Sequence, residues 1–200
     1  MKRIGLLSRK GGVGKTLCSM ALAQVLSERY RVAVLDIDPE GSAQAWASSA
    51  LRQDTPLPYA VYSAVAAAGM DRVDYLVVDT PPNDPKTLAS VARESDFVFI
   101  PVQPGEGEMD RLEPTLDVLR SGHFKSGAQL GVILNFAERD NLSLAMPAAL
   151  EQLGYPLVAS IKKSVEYRRA FGGLLSPELL ECGRHGQAEV VALGKVEDDP

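Results

Sequence analysis

Cysteine is scarce in this chain. Its two residues, Cys18 and Cys182, stand far apart and form no redox-like or metal-like pair. The scarcity argues against a disulfide framework and for a reduced, cytoplasmic setting with structural thiols. No apolar run approaches the roughly 20 residues of a membrane helix, and Met1-Lys2-Arg3 leads straight into strand-like residues rather than a secretory leader. Positive charge is not in excess: the net charge is −5 and the pI near 5.1. That balance excludes wholesale electrostatic attraction to nucleic acid while leaving room for a local basic patch. Repeats, low-complexity tracts and Gly/Ser linkers are missing. The turns Thr55-Pro56-Leu57-Pro58 and Thr80-Pro81-Pro82-Asn83 read as loops. There is no Ser/His/Asp arrangement or metal-ligand cluster, and Trp46 and His123 read as packing or surface residues. The 200 residues, 46% hydrophobic and 24% charged, suffice for one ordinary domain over 1–200 with a sizeable core. Its last residues, 197–200, form a short frayed acidic tail.

Strand-like and helix-like segments alternate. Strands are expected at Arg3–Leu7, Val32–Asp36, Tyr59–Tyr62, Tyr75–Asp79, Phe97–Pro101, Leu130–Asn135 and Leu157–Ser160. Helices are expected at Lys15–Arg29, Ser42–Leu51, Lys86–Glu94, Met109–Ser121, Leu144–Leu153 and Val165–Gly172, with a weak one at Ala188–Lys195. Runs such as Tyr75-Leu76-Val77-Val78 are continuously apolar, as in parallel strands buried on both faces. The implied fold is α/β: a doubly wound, mostly parallel sheet with helices on both faces and its ligand site at the C-terminal strand ends.

Between the first strand and the first helix lies Lys10-Gly11-Gly12-Val13-Gly14-Lys15-Thr16. This is the strand, glycine loop, helix context of a phosphate-binding loop. Glycines let successive N–H groups turn inward around an anion, and the helix adds its positive end. Lys15 would reach the β- and γ-phosphates and the Thr16 hydroxyl would ligate Mg²⁺. The general G-x-x-x-x-G-K-[ST] pattern is met imperfectly, since Arg9 stands at its first position; a second lysine, Lys10, opens the loop instead.

K-G-G-x-G-K-[ST] resembles the deviant Walker A motif of the ParA/MinD ATPases. Downstream, Asp36-Ile37-Asp38-Pro39-Glu40-Gly41 resembles the family's D-x-D-P-Q-G segment, with Glu40 where Gln is usual. Tyr75 to Pro82 resembles its Walker B strand, and Ile100-Pro101-Val102-Gln103-Pro104 its I-P-V-x-P turn. These motifs span most of residues 1–136. The resemblance is strongest to the small plasmid-partition ParA proteins. It implies a P-loop fold of the deviant Walker A type, ATP or ADP with Mg²⁺ as ligands, and catalytic roles for Lys10, Lys15 and Asp38. Lys10 would reach the partner subunit's nucleotide, and Asp38 would position or activate water. Gly11, Gly12, Val13, Gly14, Lys15, Thr16 and Leu17 would wrap the nucleotide phosphates. Thr16, Asp36 and Asp79 would hold or support the metal. Asn135 would contact adenine, with Pro104 and Gly105 bordering the base.

Other readings of these residues stay open. Asp36 or Asp38 could cap the following helix, Asp79 could serve a turn, and Phe136 either packs on the base or joins the core. Lys162, Lys163, Arg168 and Arg169 form a basic cluster, read either as a solvated face or as a non-specific DNA-binding patch. Arg139, Arg184 and Lys125 are further basic candidates. The resemblance implies a cytoplasmic, nucleoid-associated ATPase that dimerises on ATP, binds DNA non-specifically and positions a cargo. A ParB-like or cargo-adaptor protein would stimulate its slow hydrolysis. Membrane binding is not expected, because no basic amphipathic helix closes the chain. Two alternatives are a MinD-like membrane-cycling ATPase and a nucleotide-gated switch with little hydrolysis.

Overall fold

A computed structural model describes residues 1–64, 72–105, 108–122, 124–176 and Leu179. Seven parallel strands form one sheet in the order β3-β2-β4-β1-β5-β6-β7. They are β1 (Lys2–Leu6), β2 (Val32–Asp36), β3 (Ala60–Ser63), β4 (Tyr75–Asp79), β5 (Phe97–Val102), β6 (Gln129–Ala137) and β7 (Leu157–Lys162). The helices are α1 (Lys15–Ser27), α2 (Ser42–Arg52), α3 (Pro85–Glu94), α4 (Glu108–Gly122), α5 (Asn141–Gln152) and the short α6 (Glu166–Arg169). β1 lies between β4 and β5. The chain therefore winds one way from β1 through β2 and β3 and the other way through β5, β6 and β7. A crevice opens at the carboxyl ends where the winding reverses.

The strands alternate their apolar side chains between two helix layers. Phe97 and Phe99 of β5 join Val32, Val34 and Val77 beneath α1 and α2, with Tyr167 of α6 in the same cluster. Val98 and Ile100 join Val132 and Leu134 against Leu88 of α3, Leu116 of α4 and Leu150 of α5. Every residue of β2, β4 and β5 is buried, which explains why those runs are apolar throughout rather than alternating. Gly5 lets α3 approach the sheet: a Cβ there would meet Val91 Cγ1 at 2.9 Å and Ser95 Oγ at 3.0 Å.

The fold expectation holds and the boundaries shift for local reasons. α5 begins three residues earlier than the apolar pattern predicts, because Asp140 caps it by accepting from Ser143 N–H at 2.7 Å. α6 is only four residues long; Gly172 then takes φ +82° and the chain turns. β6 runs on to Ala137 through a bulge against β7. The expected helix at 188–195 and the acidic tail lie outside the described residues.

Trp46 is a packing residue. It is buried, its indole N–H donates to the Gly173 carbonyl at 2.9 Å, and its ring lies 5.2 Å from that of Phe171. It thus ties the segment after α6 to α2. Trp46→Ala should lower unfolding free energy by about 3–5 kcal/mol, read by urea denaturation. A loss under about 1 kcal/mol would mean that this tie carries little.

Candidate functional site

Three strand ends meet at the crevice. Leu6 at the end of β1 is in register with Asp79 at the end of β4, and Asp79 with Asp36 at the end of β2. The loop leaving β1 carries Gly12 at φ +73° and Gly14 at φ +89°, left-handed conformations that glycine adopts without penalty. Lys15 is buried, and its ammonium donates to the Lys10 carbonyl at 3.2 Å. Burial lowers its pKa, against the raising influence of Asp79, Asp38 and Glu40. Glu40 thus adds a carboxylate to the field around Lys15. The Lys10 N–H donates to Ser8 Oγ at 3.2 Å, which starts the turn of the loop.

The described helices differ in how they start. Asp84 caps α3, Asp140 caps α5, and Asp36 serves α2 by accepting from Ala43 and Gln44 N–H at 3.0 and 3.1 Å. α1 starts behind Gly14 with no side-chain cap. A helix start without a side-chain cap is suited to receive an anion at its first-turn amides.

Asp79 is the most unusual carboxylate. It is 1% exposed; Oδ1 accepts from Ser19 at 3.2 Å, and Oδ2 is buried with no hydrogen-bond partner. Desolvation pushes its pKa up to about 6. The Thr16 and Ser19 hydroxyls and Lys15 oppose that shift, while Asp36 adds to it. A buried carboxylate oxygen without a partner is costly unless a cation completes it. Beside the Thr16 hydroxyl, this oxygen fits a hard, oxygen-seeking divalent ion. Among the described residues no three His, Cys, Asp or Glu side chains converge on a metal position. That suits Mg²⁺, which takes one or two carboxylates and completes its shell with phosphate and water.

The two aspartates after β2 part company. Asp36, expected to support the metal shell, accepts at Oδ1 from the Asp38 N–H at 3.1 Å and at Oδ2 from the start of α2, the bonds of a helix cap. Asp38 lies beyond the strand in a turn, its Oδ1 accepting from Glu40 N–H at 3.0 Å, and its charge is felt at Lys15.

Asn135 is drawn under the loop. It is fully buried, its Nδ2 donates to the Val13 carbonyl at 2.7 Å, and its Oδ1 accepts from Phe136 N–H at 3.0 Å. The cause is the β6 bulge: Phe136 takes φ +58°, and the register against β7 shifts between Asn135 and Ala137. Bulges re-aim side chains, and here the carboxamide turns under the loop.

The Phe136 ring borders a cavity of about 710 Å³ with Leu17, Gln103, Pro104, Glu138 and Lys163. It opens beside the start of α1, where a nucleoside attached to loop-bound phosphates would lie. Gly105 follows Pro104, partly exposed, and is not among the lining residues.

The basic cluster is less cationic than its sequence. Lys163 pairs with Glu138 and Arg169 with Glu166, both at 2.7 Å, and Lys163 lines the cavity. Lys162 is exposed at the end of β7. The Arg168 side chain, Arg184, His123 and Cys182 lie outside the described residues. Lys125 binds Asp96 at 2.5 Å where β5 and β6 begin, the opposite end of the sheet from the loop; Arg139 is exposed. Cys18 is buried, and burial pushes its thiol up to about 12, so it is inert. Two site residues were missed. Ser19 sits one helical turn after Thr16 on the same face. Gln103 lies in the turn after β5 and donates to the Gly12 carbonyl at 2.8 Å.

Residues 4–174 match the family model described as CbiA, the CobQ/CobB/MinD/ParA nucleotide binding domain. The chain belongs to this family. It is 29% identical over 178 residues to "Maintenance of carboxysome distribution protein A" of Halothiobacillus neapolitanus, covering 84% of this chain and 82% of the relative. The protein of that name from Gloeobacter kilaueensis is 32% identical over 163 residues, covering 76% and 72%. Among solved structures, a Borrelia burgdorferi plasmid partition protein bound to AMPPNP superposes with TM-score 0.75 at 17% identity, covering 90% of this chain and 94% of that one. Apo McdA of Cyanothece gives 0.73 at 20%, with 90% and 94% covered. At these identities the structural matches establish the ParA/MinD P-loop fold.

Asp79 carries a testable pH signature. Its folded pKa of about 6 exceeds its unfolded value, so the ionised carboxylate costs the ligand-free protein stability above that pH. The cost fades as pH falls and vanishes below about 4. Asp79→Asn should therefore stabilise the ligand-free protein near neutral pH, by at most roughly 3 kcal/mol, and lose the advantage near pH 4. Thermal melts at the two pH values decide; a difference that did not change with pH would refute the assignment.

Proposed function

We propose that this protein is an ATPase that positions a cargo in the cytoplasm by cycling on nucleoid DNA. The observations that carry the reading are the glycine loop before an uncapped α1 and a buried Asp79 oxygen without a hydrogen-bond partner. Two relatives named for carboxysome distribution match most of both chains, and they make a protein assembly of that kind the favoured cargo.

On this reading the loop and α1 amides receive the phosphates of ATP, and Lys15, desolvated in place, sets its charge against the β- and γ-phosphates. Thr16 and Asp79 hold Mg²⁺, which supplies charge neutralisation at the phosphates. Asp38, in the turn near Lys15, orients the attacking water. Lys10 reaches the nucleotide of a second subunit and so makes dimerisation depend on the γ-phosphate. The closed dimer presents two copies of a modest basic face, whose weak attractions to DNA phosphates multiply by avidity. A ParB-like or adaptor protein stimulates hydrolysis and releases the dimer. Among the described residues no helix is long and apolar enough to cross a membrane, and nothing observed favours the membrane-cycling alternative.

Lys15→Ala should lose nucleotide binding. Lys10→Ala should keep it yet fail to dimerise with ATP. Light scattering with ATP and ADP reads both, and normal dimerisation of Lys10→Ala would remove the cross-subunit role. DNA binding should appear with ATP and not ADP, and weaken steeply with salt. Because Lys163 shares the cavity wall, the cleaner test of the DNA face is Lys162→Glu with Arg169→Glu. That pair should cut DNA affinity about tenfold or more and flatten the salt slope at unchanged ATP affinity. Unaltered DNA binding would place the face elsewhere.

A further inference from the structure

Two carboxamides grip consecutive carbonyls of the phosphate loop. Gln103, on the turn after β5, donates to the Gly12 carbonyl at 2.8 Å. Asn135, at the end of β6, donates to the Val13 carbonyl at 2.7 Å. The orientation of Asn135 is fixed by its neighbours: its oxygen must face the Phe136 N–H, leaving its nitrogen for Val13. Gly14 is fitted to this contact, since a Cβ there would lie 2.0 Å from Asn135 Nδ2 and 3.6 Å from the Phe136 ring.

A peptide plane whose carbonyl is held on one side presents its N–H on the other. Holding the Gly12 and Val13 carbonyls from outside therefore turns the N–H groups of Val13 and Gly14 the opposite way, toward the anion position of the loop. A flexible glycine loop otherwise loses backbone freedom when it closes on phosphate, and a clamp made in advance removes that cost.

We infer that Gln103 and Asn135 are positioning residues that pre-set the phosphate loop, and that Asn135 acts on the triphosphate rather than on the base. The inference presupposes the nucleotide reading above. It extends to the Asn135–Phe136 bulge, which places one residue under the loop and the next against the nucleoside cavity. The end of β6 thus links the two halves of the ligand site.

The test compares Mg-ATP with Mg-ITP, which differ at the base edge and share the triphosphate, by calorimetric titration of wild type, Asn135→Ala and Gln103→Glu. The clamp predicts that each variant loses about tenfold in affinity for both nucleotides, the worth of a hydrogen bond or a little more, with the ATP-to-ITP ratio unchanged. Loss confined to ATP, with ITP unaffected, would make Asn135 a base reader and overturn the inference; so would wild-type affinity in Gln103→Glu. Gln103 is partly exposed, so that variant keeps the test alive if Asn135→Ala does not fold. Melting temperatures of the ligand-free variants separate the clamp from simple destabilisation: a loss of affinity that merely tracked unfolding would count against it. Wild-type protein that bound neither nucleotide would instead bring down the nucleotide reading, a distinguishable result.

Discussion

The site depends on an arrangement that a short glycine loop cannot hold by itself: several backbone N–H groups facing one point with no side chain to satisfy them. Left-handed Gly12 and Gly14 permit this geometry, and they also permit many others. The surroundings supply the restriction. Lys15 takes the Lys10 carbonyl, Gln103 that of Gly12 and Asn135 that of Val13. Three consecutive strand positions of the sheet, β1, β5 and β6, thereby converge on one loop. The parallel sheet can do this because its carboxyl ends lie side by side.

The same closeness creates the electrostatic tension at the centre. Asp36 and Asp79 are register neighbours, both buried. Asp36 is satisfied by three backbone amides and becomes a structural cap. Asp79 meets the hydroxyls of Ser19 and Thr16 instead, with Oδ2 left short of a full hydrogen bond. The strain of a desolvated carboxylate is therefore concentrated on one oxygen beside the loop. A fold that could have capped both acids leaves one short of partners where a cation and a phosphate chain would meet. Two neighbouring acids differ here in how many backbone amides reach them.

Charge on the outer surface follows a different logic. Lys163 and Arg169 look like a cationic run with Lys162 in the sequence, yet in space each sits against a glutamate. Exposed pairs of this kind are worth little in stability.

Much of this was legible in the residues. Continuous apolar runs such as Tyr75 to Val78 determined a doubly covered parallel sheet, because strands buried on both faces have no polar side to show. The spacing of Lys10, Gly12, Gly14, Lys15 and Thr16 determined a phosphate loop, because a backbone cradle needs glycine at fixed positions next to a helix start. Asp79 at the end of an apolar strand marked an acid buried beside the loop. The role of Asn135 was not legible: a bulge with positive φ at Phe136 turns its amide under the loop, and no local pattern announces a bulge. The division between Asp36 and Asp38 also waited for the fold, since the start of α2 had to arrive before Asp36 could cap it. The weakening at Lys163 came from Glu138, which stands 25 residues before it in the chain, while that at Arg169 came from its near neighbour Glu166. Local chemistry was written in the sequence because it depends on residues a few positions apart. Which amide, carbonyl or counter-charge each group meets was decided by strands brought together from distant parts of the chain.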